Sequence, residues 1–280
     1  MRKIAFQGEL GAFGHSAVAE RFPEDEPFPC VTFEETITAV QTGAADLAMV
    51  PVENSLYGRI TDIHHLLPES GLFIIGEHYH RVRMNLLALP GTSLEDVKSV
   101  MSLNVALGQC RRFINKHRLT TINAVDTAGS ARIVAEKGDK SVAAIASRLA
   151  GETYGLEVLA PDIEDESHNT TRFLVMSPKK DEAPANNGPV KTTFVFRVRN
   201  VPAALYKAMG GFATNGVNMT KLESYMVDGS FNATQFYADI EGHPEDRGVH
   251  LALEELGFFT DFVKILGVYP EAPAPGNNGR

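Results

Sequence analysis

The sequence predicts an α/β protein, and three observations carry that prediction. In residues 1–178 short apolar runs alternate with amphipathic stretches. That order implies crossover units and mostly parallel sheets with helices on both faces. Residues 179–190 then break the pattern with a Pro/Asn/Gly-rich, core-poor stretch that reads as a linker. The 191–270 region shows a different order, strand-helix-strand-strand-helix-strand, which is a ferredoxin-like βαββαβ unit.

Each element has a local reason. Residues 3–7 form a short apolar strand, followed by a glycine-rich turn and an amphipathic helix over 13–22. Thr32 and Glu35 make a capping-box pattern, so a helix starts there. Residues 44–50 read as a buried strand ending at Pro51, and 60–67 as a helix with Pro68 near its end. Strands are expected at 72–78 and 84–89, and a short helix capped by Ser93. One helix is expected over 105–117 and another over 127–137, closed by Gly138. A strand at 142–146 leads into a helix ending at Gly155, and 173–176 is the last strand before the linker. Beyond it, strands are expected at 192–198, 219–227, 232–240 and 262–268, with helices over 201–215 and 245–256. Asp228-Gly229 is a strong hairpin signal. Residues 271–280 read as a flexible tail.

Composition narrows the function. The 280 residues are 44% hydrophobic and 22% charged, an ordinary globular balance. With 26 basic and 35 acidic side chains the net charge is −9, which argues against nucleic acid as a partner. No apolar run approaches the ~18–20 residues of a membrane span, and the first residues lack the apolar stretch of a signal peptide. The two cysteines, Cys30 and Cys110, cannot build a disulfide framework or a zinc site. His78 and His80 can share one side of a strand, but no cysteine or carboxylate partner is evident for that side, so no metal site is expected. A cytoplasmic protein acting on a small molecule is the expectation.

Several motifs can carry chemistry. Val50-Pro51-Val52-Glu53-Asn54-Ser55 places a carboxylate, an amide and a hydroxyl just beyond a buried strand. Ligands collect beyond the carboxyl ends of strands in open sheets; a polar turn capping the next helix is the plain alternative. In Thr170-Thr171-Arg172-Phe173 the Arg can hold a carboxylate, the Thr can donate a proton and the Phe can wall a pocket. A surface strand with one extended Arg has the same pattern. Gly8, Gly11 and Gly14 sit between a strand and a helix, where backbone N–H groups bind anions or simply make a tight turn. Their spacing is not the dinucleotide fingerprint. Thr127-Ala128-Gly129-Ser130 opens a helix with small donors, and Ser102 and Gln109 flank another helix start.

Together these motifs resemble the prephenate dehydratase family with a C-terminal ACT regulatory domain. The likeness spans about residues 3–268 and rests on the 8–16 turn, the Glu53-Asn54-Ser55 motif with Gly58, the 127–131 segment, the 143–147 segment with Tyr154-Gly155-Leu156, and Asn169-x-Thr171-Arg172-Phe173. The resemblance implies a two-lobed catalytic region, similar to type II periplasmic binding proteins, over 1–178. Its subdomains would be about 1–80 with 160–178, and 81–159. The linker would be 179–190, and the ACT domain 191–270.

It also implies the reaction: loss of water and carbon dioxide from prephenate to give phenylpyruvate, with no cofactor and no metal. By resemblance, Thr171 is the general acid or holds the leaving hydroxyl. Arg172 binds a carboxylate or organises the motif, and Phe173 packs on the ring. Glu53, Asn54, Ser55, Ser102, Gln109, Thr127 and Ala128 would form the substrate site. Asn215, Val217, Asn218, Glu223 and Ser224 would bind L-phenylalanine as effector, in a homodimer or homotetramer. The sequence departs from the family at Leu103-Asn104-Val105, at Pro202-Ala203-Ala204-Leu205 and at Glu223-Ser224-Tyr225-Met226, where an Arg-Pro pair is replaced. Arogenate dehydratase and a non-catalytic amino-acid-binding regulator are the competing readings.

Overall fold

A computed structural model describes residues 1–199, 201–226 and 233–273. The Asp228-Gly229 turn, Asn232 and the tail beyond residue 273 lie outside the described residues. The chain opens with β1 (Lys3–Gln7), α1 (Phe13–Arg21), β2 (Glu26–Cys30), α2 (Phe33–Gln41), β3 (Leu47–Asn54), β4 (Gly58–Arg59) and α3 (Thr61–Leu66). There follow β5 (Phe73–Arg81), β6 (Asn85–Ala88), β7 (Ser99–Leu103), α4 (Asn104–Gln109), α5 (Arg111–Lys116), β8 (Thr120–Ala124) and α6 (Thr127–Lys137). Next are β9 (Val142–Ala146), α7 (Arg148–Tyr154), β10 (Glu157–Ala160) and β11 (Thr170–Ser177). The last third holds β12 (Val190–Val198), α8 (Ala204–Thr214), β13 (Met219–Met226), β14 (Ala233–Glu241), α9 (Arg247–Phe259) and β15 (Thr260–Pro270).

Packing divides the chain into two units, one of Met1–Ile63 with His78–Phe173, the other of His64–Glu77 with Leu174–Pro273. The division falls inside β5 and β11 rather than at the 179–190 linker. In the first unit, β11-β3-β1-β2 form one sheet, with β1 parallel to β2 and to β3. A second sheet has the order β10-β6-β9-β7-β8. Its core includes Leu86, Val100, Ala143 and Ile145, all fully buried. The second unit carries the expected βαββαβ order, with antiparallel sheet order β13-β14-β12-β15. Phe194, Phe196, Phe212, Phe236 and Leu256 make its core. The mixed α/β class predicted from sequence is the one observed.

Several local expectations change, each for a physical reason. The strand expected to stop at Pro51 runs on to Asn54. Its pairing with β1 is at Leu47 and Ala48, and beyond the proline it pairs with β4. No strand is expected from the sequence at β2, where Pro27 and Pro29 stand within a five-residue segment. It is an edge strand: the Glu26 N–H and Cys30 carbonyl bond toward its neighbour, and the two prolines of opposite parity face the open edge. The single helix expected over 105–117 is two helices that break at Cys110. Asp165 causes the break, since its carboxylate accepts the Arg112 N–H at 3.0 Å and its own N–H bonds the Gln109 carbonyl. The helix expected after Ser93 is a turn held by Ser93 Oγ and Asp96. Strands β7, β8 and β10 are missing from the sequence reading. The Thr32 cap forms as expected, accepting the Glu35 N–H, while Glu35 accepts the Val31 N–H.

The glycine-rich turn joins the two sheets of the first unit. The Arg132 guanidinium grips the Glu9 carboxylate at 2.8 and 3.0 Å, and that contact holds Glu9's carboxyl below its ordinary range. Tyr154 donates to the Leu10 carbonyl at 2.8 Å, and Ser147 Oγ to that of Gly11 at 2.5 Å. Gly11 has φ +87° and lies so close to Ala150 that a Cβ there would come within 2.6 Å of Ala150 Cα. Gly11→Ala is therefore expected to lower unfolding free energy by about 1–3 kcal/mol through overpacking, plus about 1 kcal/mol of backbone strain. Urea melts measure it; an unchanged midpoint would mean that this turn does not pack on α7 in solution.

Candidate active site

Strand β11 sets the geometry of the site. Side chains alternate along a strand, so Asn169, Thr171 and Phe173 line one cavity of about 670 Å³. Arg172, 4% exposed, projects to the other face, where Nη1 meets Glu53 Oε1 at 2.8 Å. Facing β11 across the cavity are Pro51, Asn54 and the start of α1, together with Val82, Met84, Leu103, Gln109 and Thr127. All of these belong to the first unit.

Asn54 organises the polar end. Its Nδ2 donates to Asn169 Oδ1 at 2.7 Å and to Thr171 Oγ1 at 3.0 Å. Its Oδ1 accepts the N–H groups of Leu56 and Tyr57. The amide is thus spent on protein partners, and Asn54 acts as a positioner. Because Thr171 Oγ accepts from Asn54, its own O–H is left to donate. Asn169 is 1% exposed, and its Nδ2 has no hydrogen-bond partner among the described residues. A buried donor without a partner is costly, so this one is a natural ligand contact.

Other expected residues fall in two groups. Gln109 and Thr127 line the cavity with Asn54, Thr171 and Phe173. Glu53, Ser55, Ser102, Ala128 and Arg172 are not part of its lining. Ser55 Oγ donates to the His168 carbonyl and accepts the Thr170 N–H, tying the loop to β11. Ser102 is fully buried on the Ile145 carbonyl. Of the two roles the resemblance implies for Arg172, its geometry matches that of organiser. Asn169 belongs to the Asn169-x-Thr171-Arg172-Phe173 motif but has no expected role in the sequence; the period of two that joins it to Thr171 and Phe173 is the available signal.

Among the described residues no lysine or arginine lines this cavity. Asp126, which does, is occupied by the Gly129 N–H at 2.6 Å as the cap of α6. The first turn of α1, by contrast, has no side-chain cap and presents Ala12, Phe13 and Gly14 to the cavity. Its free N–H groups and dipole favour an anion. Cys110 offers no nucleophile: it is fully buried, and that burial, with Glu164 and Asp165 adding to it, pushes its thiol far above the usual range.

In the second unit, Asn215 Nδ2 donates to the Gly211 carbonyl and to Glu255, closing α8 against α9. The Val217 N–H bonds Phe212, and the Asn218 carbonyl accepts from Glu241. Glu223 lies 3.4 Å from Lys221 Nζ, and Ser224 is exposed on β13. Tyr225 is buried and bonds His64 Nδ1 at 2.7 Å. The carboxylate partner that was not evident for His78 and His80 comes from a distant part of the sequence: Glu20 Oε2 lies 2.9 Å from both rings. No helix of the described residues is long and apolar enough to cross a membrane.

The chain is 51% identical over 272 residues to a Komagataeibacter europaeus protein named bifunctional N-acyl-homoserine lactone acylase/prephenate dehydratase, covering 97% of each chain. It is 38% identical over 282 residues to the chloroplastic arogenate dehydratase/prephenate dehydratase 1 of Arabidopsis thaliana, covering 96% of this chain and 72% of that one. The crystal structure of prephenate dehydratase from Arthrobacter aurescens in complex with L-Phe superposes with a TM-score of 0.87 at 31% identity, covering 97% and 92%. The family described as Prephenate dehydratase matches residues 4–181. The chain belongs to the prephenate dehydratase family.

Proposed function

We propose that the protein converts prephenate to phenylpyruvate in the cavity of the first unit. The observation that carries this is the Thr171 hydroxyl, held as a donor by Asn54 beside the unpartnered Asn169 amide. In the reaction, the bond from the ring carbon to its hydroxyl breaks and the oxygen takes a proton, leaving as water. The ring carboxylate leaves as CO2, and its electron pair completes the aromatic ring. Aromatisation drives the step, so no cofactor is required. Thr171 supplies or relays the proton. A hydroxyl is a weak acid, so its contribution depends on placement, which Asn54 provides. Asn169 Nδ2 and the α1 N-terminus receive the substrate's carboxylates, Phe173 packs on the ring, and Arg172 with Glu53 keeps β11 in register. The protein works in the cytoplasm.

A second reading has a specific support. The cavity is mainly apolar, with Phe33, Met49, Ile60, Val82, Met84 and Val105 among its lining. An acyl chain would fit such a wall, and the Komagataeibacter relative's name includes N-acyl-homoserine lactone acylase. Amide hydrolysis of such a lactone is therefore a candidate second activity.

The βαββαβ unit would be an ACT regulatory domain that binds L-phenylalanine between two copies of the chain. The Arthrobacter relative in complex with L-Phe supports this.

Three measurements test these readings. Prephenate, arogenate and an N-acyl-homoserine lactone are offered in parallel, and phenylpyruvate from prephenate is expected. No turnover of prephenate or arogenate would overturn the dehydratase reading, whatever the lactone gives. Thr171→Ala is expected to lower kcat by about 10²–10⁴-fold with much less change in KM, and Thr171→Ser to recover part of the loss. Equal kcat in mutant and parent would remove Thr171 from the chemistry. L-phenylalanine is expected to change the rate or the sedimentation of the parent, with a weaker response in Asn218→Ala and Glu223→Ala. An unaltered response in both variants would place the effector elsewhere.

A further inference from the structure

His78 and His80 lie two residues apart on β5 and so project to one side of it. Helix α1 brings Glu20 to the same place from a distant part of the sequence. One oxygen, Glu20 Oε2, is 2.9 Å from His78 Nε2 and 2.9 Å from His80 Nδ1. All three ligand atoms lie within 4.8 Å of one another. His80 is buried, His78 partly so, and Glu20 is half open to solvent. None of the three takes part in the dehydratase chemistry described above.

We propose that Glu20, His78 and His80 form a binding site for a divalent transition metal ion of the zinc class. Two imidazoles and a carboxylate are a ligand set that zinc accepts, with bonds of about 2.0–2.2 Å. Atoms this close need only small side-chain rotations to surround such an ion, which would replace the protons now shared with Glu20. Metal binding requires an ionised carboxylate.

A fourth coordination position is available. Glu20 and His80 line a second cavity of about 460 Å³, distinct from the substrate cavity and shared with Arg81, Arg83 and Arg148. Arg81 Nε is buried without a hydrogen-bond partner among the described residues. Water, or a small anion held by these guanidiniums, would complete the tetrahedron. The His80 ring also touches Phe13 and Phe173, at 6.0 and 6.4 Å between ring centres. Both rings line the substrate cavity. The ion would thus brace the cavity wall and modulate the site without entering the ring chemistry.

The test uses the full chain after treatment with a chelator. Calorimetric titration with Zn2+ is expected to give one ion per chain. Co2+ is expected to give the visible absorption bands of a tetrahedral site. Glu20→Gln and His80→Gln should each weaken binding by at least about tenfold. His80 packs among aromatic rings, so its variant can lose stability; Glu20→Gln, on a half-exposed side chain, keeps the test decisive, and metal-free thermal melts establish that it is folded. Absence of stoichiometric binding by the parent, or binding by Glu20→Gln as tight as the parent's, would overturn the proposal.

Discussion

The candidate site of this molecule depends on one amide. Asn54 has two N–H donors and one carbonyl, and all are used within the protein. The carbonyl folds the chain after β3 into a turn, and the donors fix two side chains of β11. From that come the direction of the Thr171 hydroxyl and the orientation of Asn169. Replacing the amide by a carboxylate here would remove both donors and draw the Thr171 O–H onto the carboxylate. The geometry of a neutral side chain, rather than a charge, therefore organises the site.

This bears on how an acidic protein can hold an acidic ligand. The net charge of −9 opposes a dicarboxylate, although salt screens that field beyond roughly 8–10 Å. Among the described residues the cavity wall contributes no lysine or arginine to offset it, and Asp62 and Asp126 are part of that wall. The groups left to favour an anion are a helix start, amides and hydroxyls, whose partial charges act at short range where water is excluded. The guanidinium nearest in sequence, Arg172, is neutralised by Glu53 on the opposite face of its strand.

Much of the fold was legible because periodicity reports burial. Strands β1 and β9 and helix α6 are apolar or sharply capped, and they appear where expected. Strand β2 was illegible because edge position, which makes Pro27 and Pro29 tolerable, is a tertiary property. Strand β8 is Thr-Thr-Ile-Asn-Ala at a sheet edge and carries little hydrophobic signal. The break at Cys110 comes from Asp165, too far along the chain for any local rule to detect. The site was legible as motifs, and its roles only in part. Strand alternation separates Thr171 from Arg172, whereas the spent state of Asn54 and the meeting of Glu20 with two histidines exist only in three dimensions.

Within the second unit, Lys191 Nζ lies 2.9 and 3.2 Å from the two carboxylate oxygens of Glu77, with both side chains almost wholly buried. Removing one partner of such a pair typically costs about 3–5 kcal/mol, because the other charge is left stranded. The two residues belong to strands separated by more than a hundred positions, and β5 also pairs with β15 through Ile74 and Gly267. During synthesis, the segment around Glu77 leaves the ribosome long before its lysine does. That segment must wait, unfinished, for the C-terminal third of the chain. The order of biosynthesis and the order of folding therefore differ, and the C-terminal unit is not an appendage that can be cut away to leave a settled core.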